Sequence, residues 1–135
     1  MESATFSPSL LHVLVAAVSS FVLGGLWYGP LFGKAWQRLA GLSDEALRAR
    51  HPARLFGVSF VLAFAQAWIF AMFLGPRPAL ALGLGAGVSA GLGWVGAAFA
   101  INDLFERRRL PLWAINAGYH TLAFTLYGLI FGLWR

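Results

Sequence analysis

The 135-residue chain contains no cysteine. Disulfides, thiolate nucleophiles and cysteine metal sites are therefore excluded at once. Charge is almost as scarce. Asp, Glu, Lys and Arg make up 11% of the residues, against about 25% in an ordinary soluble domain. The scarcity is also uneven: residues 3–33, 55–76, 78–102 and 110–134 carry no charged side chain at all. A bilayer core about 30 Å thick needs about 20 apolar residues per helix, so each window is long enough to cross. A small soluble fold cannot bury four such segments. A soluble enzyme, a disordered chain and a nucleic-acid-binding domain are excluded.

Catalytic and metal-binding sets are missing too. Asp103 is the only acidic residue beside a hydrophobic run, and its expected place is among headgroups, so no Ser-His-Asp set can be assembled. His12, His51 and His120 fall at different expected depths, and none has a second ligand at helical spacing. The residues point to no enzyme, no cofactor and no metal.

What remains is 59% apolar, with 16 glycines, 12 phenylalanines and six tryptophans. The expected fold is an all-α membrane protein: one domain over 1–135, with spans at about 8–28, 55–74, 79–101 and 112–134. The first segment lacks a basic leader and a small-x-small cleavage site, so it reads as a retained span rather than a signal peptide. Gly29-Pro30 should end it, and Gly75-Pro76-Arg77-Pro78 forms a tight turn between the second and third spans. After the first span, Leu31, Phe32, Ala35, Trp36 and Leu39 share a face opposite Lys34, Gln37 and Arg38. That pattern predicts a short amphipathic helix lying in the interface. Ser43 should cap a further short turn.

Basic residues give an orientation. Lys34, Arg38, Arg48, Arg50, Arg54, Arg107, Arg108 and Arg109 lie on one side, and only Arg77 and Arg135 on the other. Positive charge stays in the cytoplasm, so loops 29–54 and 102–111 are expected inside and both termini outside. Trp27, Tyr28, Trp36, Phe105 and Trp113 would form the cytoplasmic aromatic belt, and Phe73, Phe131 and Trp134 the outer one. Arg107, Arg108 and Arg109 would anchor topology and meet anionic headgroups; the net charge of +5 gives no reason to invoke nucleic acid. Nine arginines against one lysine suit a GC-rich bacterial genome, and hence an inner-membrane location.

Gly91, Gly93 and Gly96 match the dinucleotide pattern G-x-G-x-x-G. That chemistry needs a strand before the glycines and a helix N-terminus at the pyrophosphate. Here the pattern sits inside a charge-free span, so packing is the better reading. Gly83, Gly87 and Gly91 repeat every four residues, and Gly85, Ser89, Gly93, Gly96 and Ala100 form a nearly opposite face. Such small-residue ridges let helices approach closely in lipid. Two ridges predict a central third span, with Ala16, Ser20 and Gly24 of the first span as its matching groove. Leucine at Gly87 or Gly93 should break assembly.

Polar residues within spans are costly and usually face inward. Gln66, Asn102, Asp103, Asn116, Tyr119 and His120, with Trp27 and Tyr28, are the candidates for a polar pocket open to the cytoplasm. The competing reading makes them interhelical ties worth about 0.6 kcal/mol each. Two functions follow: a structural or interaction protein that assembles through its small-residue faces, as a homo-oligomer or with a partner, or a small oligomeric transporter or channel.

The run Gly24-Gly-Leu-Trp-Tyr-Gly-Pro-Leu-Phe-Gly-Lys-Ala-Trp36 resembles the signature that closes the first span in an uncharacterised bacterial membrane family, domain of unknown function 1761. Ile115-Asn-Ala-Gly-Tyr-His120 resembles that family's last span, and Asn102-Asp-Leu-Phe-Glu106 the segment before it. The resemblance covers essentially the whole chain. It implies about four spans and assigns no reaction, substrate or cofactor.

Overall fold

The computed structural model describes residues 6–134, which are helical with no strand among them. Arg135, used in the charge pattern, lies outside the described residues. The chain runs α1 (Leu10–Leu26), a π-helical turn (Trp27–Leu31), α2 (Gly33–Ala40), α3 (Asp44–Arg48) and α4 (Pro52–Leu74). There follow α5 (Leu80–Val88), a π-helical stretch (Ser89–Gly96), α6 (Ala97–Glu106) and α7 (Leu110–Leu133). Because α5, its π stretch and α6 are continuous, they form one rod.

Local chemistry sets the boundaries. Ser9 Oγ accepts the His12 N–H at 3.4 Å, and Ser43 Oγ accepts the Ala46 N–H at 3.0 Å, each capping a helix start. His51 Nδ1 accepts the Arg54 N–H at 3.2 Å with Pro52 in the first turn, so α4 begins three residues before its expected start at 55. Gly41 and Gly75 end α2 and α4 at φ of 71° and 74°, a region that glycine enters without strain. The rod continues past the expected 101 to Glu106. There Arg107 turns at φ 56° and the Arg108 N–H bonds the Asp103 carbonyl at 2.9 Å. Gly29-Pro30 does not break the first helix. The π turn absorbs Pro30, and the Phe32 N–H reaches back to the Trp27 carbonyl at 2.8 Å.

Three helices are long and apolar enough to cross a membrane: Leu10–Leu31, Pro52–Leu74 and Leu80–Glu106, with mean hydropathy 2.0, 2.0 and 1.6. α7 is 24 residues long but carries Asn116, Tyr119, His120 and Tyr127, which lower its hydropathy. It is also the most enclosed helix. Leu112, Ala117, Ala123, Tyr127 and Phe131 are all buried, whereas Leu10, Val22, Phe56, Val61 and Leu62 of the outer helices are exposed.

This overturns the expectation of a central third span. α7 is the central helix, with the rod on one side and α1 and α4 on the other. α7 runs antiparallel to the rod, and their backbones touch: Gly83 meets Gly128, a Cβ on Gly87 would lie 2.5 Å from the Phe124 carbonyl, and one on Gly91 2.5 Å from Thr121 Cα. The second small face does not bind a neighbour, since a Cβ on Gly85 or Gly93 would meet nothing within 4 Å. Gly96 leaves that face and joins the first: a Cβ there would lie 3.4 Å from that of Ala117. The reason is the π stretch, which inserts about one extra residue per turn, so glycines spaced four, four and five apart share one line. Ser20 and Gly24 serve α7, not the rod, through Tyr119. Phe131 likewise leaves the outer belt; it is buried against Phe70, with ring centroids 6.5 Å apart.

Candidate functional site

The polar side chains of α7 project from its first half, where the end of α1 and its π turn pass close by. Four elements are tied there. The Trp27 indole donates to the Ile115 carbonyl at 2.8 Å, and the Tyr28 hydroxyl donates to Asn116 Oδ1 at 2.7 Å. Tyr119 donates to the Ser20 carbonyl at 3.0 Å, and the Trp113 indole to the Gly96 carbonyl at 2.8 Å. Rings close the gaps. Tyr28 lies edge-on to Tyr119 at 5.4 Å and to Trp36 of α2 at 5.7 Å. A Cβ on Gly118 would stand 3.0 Å from the Trp27 ring, so glycine there lets the indole lie flat on α7.

Of the residues expected to form a pocket, the structure therefore gathers Trp27, Tyr28, Asn116 and Tyr119. His120 points to the other flank of α7, its ring stacked on Phe99 of the rod at 5.2 Å with the Tyr119 ring at 4.9 Å. Gln66 is half-buried on α4 and takes no part in these bonds. Asn102 is exposed and lines a shallow cavity of about 340 Å³ with Trp94, Val95, Ala98 and Phe99, on the rod's outer side. Asp103 is 7% exposed, and its Oδ2 is buried without a hydrogen-bond partner among the described residues. Also among the described residues, no group of three or more His, Asp or Glu could hold a metal ion.

Sequence reasoning named both members of the Tyr28–Asn116 pair and missed the other three pairings, because their acceptors are backbone carbonyls. The carbonyls of Ser20, Gly96 and Ile115 carry no residue-type signal. Only Gly118, two residues from Asn116, hinted that a large ring would lie against α7.

The gathered groups are paired donors and acceptors set among aromatic rings, a chemistry of holding helices together. A second cavity, of about 320 Å³, is lined by Trp27, Leu92, Trp113, Ala114, Ala117, Gly118, Thr121 and Leu122. Its one polar side chain, Thr121, already bonds the Ala117 carbonyl at 2.7 Å.

No curated protein and no solved structure matches the chain. A family model does: residues 11–132 match the protein of unknown function DUF1761, which embraces both motifs of the α1 end and of α7. The chain belongs to that family.

Proposed function

We propose that this protein is a four-span integral membrane bundle whose role is structural or interactive, and that its intramembrane polar groups are interhelical ties rather than a transport path. The observation that carries this reading is the pairing of Trp27, Tyr28 and Tyr119 with acceptors on facing helices. A conducting path needs polar groups that face water. Here Trp27, Tyr28 and Tyr119 bond groups on facing helices, and the rings of Trp27 and Tyr28 pack against Gly118 and Tyr119.

The fourth span is supported by how α7 lies. Its end packs on the start of α1 through Trp134 and His12, rings 4.1 Å apart, and its first turns meet the end of α1 through Trp27 and Ile115. It therefore runs the length of α1. At about 1.5 Å per residue its 24 residues reach about 36 Å, enough for the hydrocarbon core. α7 is less apolar than its neighbours because they shield it from lipid. Both termini then share the outer side of an inner membrane, α2 lies in the cytoplasmic interface with Lys34 and Arg38 exposed, and Arg107, Arg108 and Arg109 face anionic headgroups.

The test uses the cysteine-free background. Gln66→Cys and His120→Cys are to be probed in intact and permeabilised cells with a membrane-impermeant maleimide. Ties in a dry interior give no labelling at either position beyond that of the cysteine-free parent. Ready labelling at both would establish a water-filled path and favour the transporter reading.

A further inference from the structure

The cavity between Trp27 and Trp113 opens on the flank of the bundle, and its form is that of a seat for a chain. Its floor is α7, built here from small residues: Ala114, Ala117, Gly118 and Thr121. Its walls are Trp27, Leu92 and Trp113. Both indole N–H groups are already bonded to backbone carbonyls, so the rings are fixed apolar walls with no polar demand on an occupant. From Trp113 to Leu122 the floor extends about 13 Å along the helix axis, close to the roughly 15 Å of hydrocarbon in one leaflet.

Arginines precede the helix that floors this groove. Arg109 is the N-cap residue of α7, five residues before Ala114 and so about 7 Å below it. Arg108 pairs with Glu106 at 2.8 Å, whereas Arg107 and Arg109 form no ion pair among the described residues. Two exposed arginines thus come just before the helix that floors an apolar groove about as long as one leaflet is deep. We infer that the groove binds one anionic phospholipid specifically, its phosphate held by Arg107 and Arg109 and an acyl chain lying along Ala114, Thr121 and Leu122 between the two tryptophans. This rests on the reading of α7 as a span with its first turn at the cytoplasmic face. It goes beyond general attraction to headgroups, because it requires one site with two parts.

The test is lipid retention by native mass spectrometry. The purified protein is exchanged into detergent with an equal mixture of phosphatidylglycerol and phosphatidylcholine. The wild type should retain one phosphatidylglycerol in preference to phosphatidylcholine. Arg107→Gln with Arg109→Gln should lower that preference about tenfold or more, at about 1 kcal/mol per basic residue near the surface. Ala114→Trp, at an exposed position, should fill the groove and abolish retention with the arginines intact; Leu122→Trp gives a second obstruction should the first variant fail to fold. Equal retention of the two lipids by the wild type would overturn the proposal. So would wild-type retention by a folded Ala114→Trp or Leu122→Trp protein. Neither result bears on whether the polar groups are ties, which the cysteine labelling reads separately.

Discussion

At the scale of single residues, the polar groups divide by whether they found partners. Tyr28 and Asn116 did, and a hydrogen bond between spans is worth about 0.6 kcal/mol on average, up to about 1.7. Asp103 did not. It sits at the end of the rod, where the Arg108 guanidinium pairs with Glu106 and no side chain among the described residues bonds its Oδ2. A buried polar group without a partner costs about 1–3 kcal/mol, more when charged. Removing the charge should therefore stabilise the fold. Asp103→Asn should raise Tm in detergent by about 3 °C or more, from a gain of about 1 kcal/mol. A lower Tm would show that the carboxylate is held by a group that stabilises it.

Among the elements, the rod and α7 form the tightest pair, and its tightness comes from absent side chains. Gly83, Gly87 and Gly91 place backbone directly on the backbone of α7. Nothing at such a contact can swing aside, so overpacking there should cost about 3 kcal/mol or more. Gly87→Leu should unfold the bundle or lower Tm sharply, whereas Gly93→Leu should behave as wild type, because a side chain there meets open space. Equal damage from both would return Gly93 to a packed face. This contrast also marks how far the sequence could be read. Charge-free windows revealed helices, and Ser43 and the Gly75-Pro76-Arg77-Pro78 turn revealed some of their ends, while Gly29-Pro30 misled. The four-residue glycine repeat found the packed face of the rod. The register change after Gly91 was not legible, because no residue type announces a π turn, and a regular helix puts Gly96 beside Gly93. Nor was the place of α7 legible. Its Asn116, Tyr119 and His120 looked like the lining of a pocket; the structure shows that a helix with such residues takes the centre, where its neighbours satisfy or cover them.

For the whole molecule, the arrangement of ends supports the proposed four crossings over three. A chain that crosses three times leaves its last helix on the far side of the membrane from its first residues. Here the ring of His12 at the start of α1 lies 4.1 Å from that of Trp134 at the end of α7. The four-crossing proposal puts both helix ends in one compartment, as that distance requires. The proposed direction rests on positive charge: Lys34, Arg38, Arg48, Arg50, Arg54 and the arginines before α7 gather at the opposite end, and loops rich in Lys and Arg stay in the cytoplasm. Single cysteines at exposed positions test both parts together. Ser7→Cys and Leu133→Cys should react with an impermeant maleimide in intact cells or spheroplasts. Ser43→Cys should react only after permeabilisation. Reaction of Ser7→Cys and Leu133→Cys under opposite conditions would reduce the bundle to an odd number of crossings. Reaction of Ser43→Cys alone in intact cells would keep four crossings and invert them, which would place the arginines and the lipid groove in the outer leaflet.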